Sequence, residues 1–278
     1  MNQEWSELNK LMQARIKKND TYSDGIRTLL ELRNRLTDTI LSFRAHLSRA
    51  DFDAIPFIHA DGCHSTTIAY SIWHIFRIED IVAHTLINGD EQIFFSGNYK
   101  ERINAPIITT GNELVKNEIS AFSKQLDLNE LYAYMIAVKE STEAILLEMP
   151  YEKLKQKIPT AQREALQKLN VVSSDESAAW LIDYWCGKDI RGLIQMPFFA
   201  ALDHAHRGKS ADCEPAAQIA GAIALSQIFK ESPEANAIYA VTSGRFCIHF
   251  SQIRGCRDSS AKRSPQSPFR RLPGRFQS

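Results

Sequence analysis

Ser65-Thr66-Thr67-Ile68-Ala69-Tyr70-Ser71-Ile72-Trp73-His74-Ile75-Phe76-Arg77-Ile78-Glu79-Asp80-Ile81-Val82-Ala83-His84-Thr85-Leu86-Ile87 decides how this chain folds. Its apolar side chains lie nearly all round a helix instead of along one stripe. A helix of that kind is buried on more than one side, so the rest of the chain must wrap it. Asn88-Gly89 follows, a stop signal, because glycine readily takes the left-handed conformation at a helix C-terminus. The spacing therefore predicts a helix over about 65–87. Arg77, Glu79 and Asp80 point away from His74 on this helix and are expected to be solvated or paired between helices.

Working outward, three more long helices are predicted. Ile26, Leu29, Leu30, Leu36, Ile40, Phe43 and Leu47 form one stripe over about 24–48. Leu131, Met135, Val138, Thr142, Ile145 and Met149 step by four and three until Pro150. Ser173 and Glu176 have capping-box spacing and open a helix carrying Trp180, Leu181, Tyr184, Trp185, Ile190, Leu193 and Ile194. Residues 5–16 predict a short amphipathic helix that docks on something larger, and residues 151–169 a charged surface helix. Asn19, Asp20, Ser23, Asp24 and Gly25 read as a linker and helix start. No stretch alternates with period two, so the fold class is all-α, a four-helix bundle. The organisation is residues 1–23 as helix and linker, 24–199 as bundle, and 200–278 as an irregular or disordered extension.

Composition narrows the function. The 278 residues include 33 Lys+Arg and 33 Asp+Glu, with 44% hydrophobic. A balanced charge does not suit a nucleic-acid partner. No run of about 18 apolar residues exists to span a membrane. Residues 1–18 lack the apolar core of a signal peptide. Five cysteines, an odd number without a CxxC pair, fit a reducing compartment, so a cytoplasmic location is expected.

His74 is the principal candidate for chemistry. At about 100° per residue, Thr67, Tyr70, Ile78, Ile81 and Thr85 share its face, so it looks into the bundle. Two roles stay open on spacing alone: a core histidine satisfied by one hydrogen bond, or a metal ligand. His84 lies about 80° from His74 on a regular helix, which argues against a shared site. Cys63 and His64 adjoin, but a Cys–His nucleophile needs mutual geometry, not adjacency. His46 and His59 have no recognisable context. Trp180, Tyr184 and Trp185 are read as core aromatics. No glycine-rich phosphate loop and no G-x-S-x-G occurs.

The segment Trp73-His74-Ile75-Phe76-Arg77-Ile78-Glu79-Asp80 resembles the second helix of the DinB-like metalloproteins. Asp183-Tyr184-Trp185-Cys186-Gly187-Lys188-Asp189-Ile190 and Met196-Pro197 resemble the start of that family's last bundle helix. The resemblance covers roughly residues 24–199. It implies a four-helix bundle, often dimeric, holding a divalent ion, zinc or nickel, through three histidines. One ligand matches His74, and the other two come from an H-x-x-x-H pair on the last helix. It further implies a metal-dependent hydrolase or thiol transferase acting on a small molecule. The alternative is a non-catalytic helical bundle without metal.

This chain departs from that pattern after Phe199. Where the pair belongs it reads Ala200-Ala201-Leu202-Asp203-His204-Ala205-His206. His204 and His206 are two apart, about 160° round a helix, so a regular helix does not aim both at one ion. A clamp by His204, His206 and Cys213 needs irregular backbone. Codons permitted for residues 200–214, read one base later, can spell R-H-W-I-M-H-I-E-A-S-L-R-I-V-N, which restores the pair. Residues 200–278 also hold 11 basic and 6 acidic side chains, against 22 and 27 before them. Residues 251–278 are rich in Ser, Pro and Arg, a composition expected to stay disordered. These observations suggest a change of reading frame near Phe199–Ala200.

Overall fold

The computed structural model describes residues 2–55 and 66–195, and they are all-α. Its helices are α1 (Asn2–Ile16), α2 (Tyr22–His46), α3 (Arg49–Asp53) and α4 (Ile68–Asp80). Then come α5 (Ile93–Ser96), α6 (Tyr99–Arg102), α7 (Asn117–Gln125), α8 (Leu128–Glu148), α9 (Thr160–Leu169) and α10 (Glu176–Cys186). Helical backbone resumes over residues 190–195. The one β-type pairing among the described residues is an isolated bridge between Lys157 and Asp189.

α4 packs on α8, and α8 on α2. The Thr67 hydroxyl caps α4, accepting from Tyr70 N at 3.1 Å. From Ile81 to Asn88 the same rod continues as a π-helix. It stops at Gly89, whose φ of +75° is the left-handed cap the sequence predicted. α8 starts at Asp127, whose carboxylate accepts from Asn129 N and Glu130 N. Leu131, Met135, Val138 and Leu146 of α8 are buried against Trp73, Phe76 and their neighbours in one core.

Three predicted boundaries differ from the structure, the first being the surface helix expected over 151–169, which is a 3₁₀ turn (Tyr151–Lys155) followed by α9. Asn19–Thr21 form a 3₁₀ turn and α2 starts at Tyr22, so the stretch expected as a linker is itself helical and the helix starts two residues before the expected Asp24. The cause is tight packing of α1 on α2: Met12 and Ile16 are buried, and a Cβ on Gly25 would stand 2.7 Å from Ile16 N. The predicted long helix from Ser173 is also interrupted. α10 starts at Glu176, capped by Asp175 rather than Ser173, and ends at Cys186 with Gly187 as its C-cap. Asp189 then caps the next segment through Gly192 N at 2.8 Å, while Ile190 N donates to Gln156 O at 3.0 Å. A carboxylate and a long-range backbone bond thus satisfy the groups that a continuous helix would have paired internally.

Candidate functional site

His74 is wholly buried on α4. Its Nδ1 lies 2.8 Å from the carbonyl oxygen of Thr110, in the segment between α6 and α7. A carbonyl only accepts, so Nδ1 carries the proton and the lone pair sits on Nε2. The ring stacks on Tyr70 at 5.5 Å with 14° between planes, and the Tyr70 hydroxyl donates to Gly111 O. Trp73 Nε1 donates to Thr109 O and the Arg77 guanidinium to Ile108 O. The loop at 108–111 is thus fastened to α4 by four successive carbonyls, and it supplies the partner of His74. Burial lowers the His74 pKa to about 4, against a smaller upward pull from the Thr110 hydrogen bond. The ring is therefore neutral near pH 7, the form in which imidazole binds a cation.

The three charged residues of α4 are all buried, and none is solvated. Arg33 of α2 pairs with Glu79 and also donates to Lys139 O of α8 at 3.1 Å. Burial raises the Glu79 carboxyl, while the Arg33 charge pulls it back down. Arg77 and Asp80 pair at 3.2 Å on the same helix, and the Tyr134 hydroxyl of α8 donates to Asp80 at 2.7 Å. Asp80 also accepts from Ile93 N and Phe94 N, both at 2.9 Å, capping α5. The Arg77 guanidinium lies 4.2 Å over the Phe94 ring. This network was legible as a conflict: charges on an otherwise all-apolar helix must find partners, because burying them alone is too costly.

Glu79, Val82, Thr142, Leu146, Leu193 and Ile194 line a small pocket between α4, α8 and residues 190–195. Its volume of about 10 Å³ suits one water molecule at most.

His84 lies in the π-helical segment and is buried. Nδ1 stands 2.8 Å from Asp90 Oδ1 and Nε2 stands 3.0 Å from Ser141 Oγ of α8. This constellation was not anticipated, because Ser141 is distant in sequence and meets His84 only through packing. The regular-helix angle used for His84 also fails here: a π-helix bonds i to i+5 and turns less per residue.

The remaining candidates are dispersed. His46 is exposed, with Nδ1 2.8 Å from Ser42 O. Trp185 is buried core, while Trp180 and Tyr184 pack edge to face at 5.7 Å nearer the surface. Cys186 is a free thiol raised by burial. His59, Cys63, His64, His204, His206 and Cys213 lie outside the described residues. Among the described residues no group of three His, Cys, Asp or Glu side chains is close enough to hold a metal ion. No helix among them is long and apolar enough to cross a membrane. Comparison with protein-family models and with curated proteins gives no match.

Proposed function

We propose that the chain is a DinB-like four-helix bundle, with residues 190–195 opening the fourth helix, that binds zinc or nickel through His74. The observation that carries this reading is the buried, neutral imidazole whose proton is held on Nδ1 by Thr110 O. A backbone carbonyl behind a ligating histidine fixes the tautomer and aims the other nitrogen at the cation. The imidazole fits the ion as one donor. Its fellow donors would have to come from outside the described residues, where the sequence offers His204 and His206.

A bound divalent ion would lower the pKa of a coordinated water or thiol toward neutrality, the chemistry of a hydrolase or thiol transferase. The residues of the chain would do the rest. Thr110 O holds the His74 proton, Tyr70 keeps the ring plane, and the apolar face of α4 excludes bulk water. Association as a homodimer belongs to the same reading.

A second reading is favoured by the complete sealing of the ring: a non-catalytic bundle in which the His74–Thr110 bond is structural. Metal analysis of the purified full chain, reconstituted with zinc or nickel, separates the two. About one ion per chain, lost in His74→Ala, supports the metalloprotein. A folded chain that retains none supports the second reading.

A further inference from the structure

The geometry points to a second reactive centre, a serine nucleophile at Ser141 activated by His84 and oriented by Asp90, that hydrolyses small carboxylic esters. It is independent of His74 and of any metal. Asp90 Oδ1 stands 2.8 Å from His84 Nδ1. A carboxylate only accepts, so Nδ1 carries the proton. In the neutral ring Nε2 is then an acceptor, and the Ser141 hydroxyl, 3.0 Å away, donates to it. Nucleophile, base and orienting carboxylate thus form a relay with the contacts that a hydrolytic triad requires.

Local structure builds this relay. The π-helical turns carry His84 toward α8, and such turns often mark functional sites. The left-handed Gly89 reverses the chain, so Gly89 N and Asp90 N both donate to His84 O, at 2.7 and 3.1 Å. That brings the Asp90 carboxylate back over its own histidine. Asn88 Nδ2 donates to Asp90 Oδ2 at 2.7 Å and fixes the second oxygen. Gln162 of α9 closes the flank, since a Cβ on Gly89 would meet its Nε2 at 3.0 Å.

Ser141 also differs from several other helical hydroxyls. Thr28, Thr37, Ser71 and Ser123 each donate to the carbonyl four residues back. The Ser141 hydroxyl is aimed at His84 instead. It is partly exposed while His84 is buried, so the nucleophile is the end of the relay that an external substrate reaches.

In the reaction the Ser141 Oγ–H proton passes to His84 Nε2 as Oγ bonds to the carbonyl carbon. The ester C–O bond breaks, and the alcohol leaves with the proton from His84. Water then repeats the sequence on the acyl-serine, so ester and water yield acid and alcohol. Ser141 is only partly exposed, so the fitting substrates are small, such as an aryl acetate.

The test treats the full chain with an alkyl fluorophosphonate in the presence of a metal chelator. Ser141 Oγ bonds to phosphorus, fluoride leaves, and the proton passes to His84. Mass spectrometry is expected to find the phosphonyl group on Ser141, and none there in Ser141→Ala. Alanine suits the interior of α8, so that variant should fold. His84→Asn should slow labelling by about 100-fold or more, as loss of a general base does. Asp90→Asn, at an exposed position, should slow it by at least about tenfold while circular dichroism is unchanged. A folded chain left unlabelled at Ser141, or labelling as fast in Asp90→Asn as in the parent, overturns the proposal. Neither outcome bears on metal binding at His74.

Discussion

At His74 complete burial governs how the residue titrates, against a smaller opposing pull from the Thr110 hydrogen bond. Its pKa is about 4 in the folded chain, against 6.5 for the free side chain. Above pH 6.5 the ring is neutral folded or unfolded, and its full contribution to stability is present. As the pH falls from 6.5 toward 4, the unfolded chain takes up a proton that the folded chain refuses, so stability is lost. A separation of this size corresponds to about 3 kcal/mol. Urea unfolding in chelator at pH 7 and pH 4 should therefore show a larger acid loss in the parent than in His74→Phe. Phenylalanine keeps the stack on Tyr70 but has no proton to gain. Equal losses in the two proteins would contradict this account.

Among the elements, α1 and α2 illustrate how backbone approach overrides residue preference. Gly25 sits inside α2, where alanine would ordinarily improve helix stability by about 1 kcal/mol. Yet a Cβ there would stand 2.7 Å from both Ile16 N and Ile16 Cγ1. The first of these is backbone and has no rotamer to escape into. Gly25→Ala should therefore destabilise by about 1–3 kcal/mol, the usual cost of overpacking, read from chemical denaturation. A stabilised variant would show that α1 can move away from α2 at little cost. The long rod of α4 and its π-helical continuation carries a different lesson. One hydrophobic run contains two winding patterns, and the change at Ile81 re-aims His84 toward α8.

Across the whole molecule, Arg33 joins three long helices. It pairs with Glu79 of α4 and bonds the Lys139 carbonyl of α8 from its own position on α2. Both members of the pair are nearly inaccessible, with side chains 3% and 4% exposed. Removing one partner strands the other in the core, so Arg33→Met alone should cost about 3–5 kcal/mol. The double variant Arg33→Met, Glu79→Leu strands neither partner in the core and should unfold at a higher denaturant concentration than Arg33→Met. A double variant less stable than the single one would mean that the pair contributes more than its burial costs.

The helical character of the chain and its long runs up to residue 148 were legible because burial imposes a period of 3.6 on apolar side chains. Ile26 to Phe43 and Leu131 to Leu146 needed no other information. The stop at Asn88-Gly89 was equally plain, since it depends on one local backbone conformation. The burial of His74 followed from its apolar neighbours on the same helix. What it bonds to did not, because Thr110 comes from a loop whose path is set by docking on α4. The break between α10 and residue 190 was hidden for the same reason: Gln156, distant in sequence, takes the bond that would have continued the helix. Ser141, His84 and Asp90 are the extreme case. A local turn links His84 to Asp90, but only the packing of α8 against the π-helical turns brings the Ser141 hydroxyl to within 3.0 Å of the imidazole.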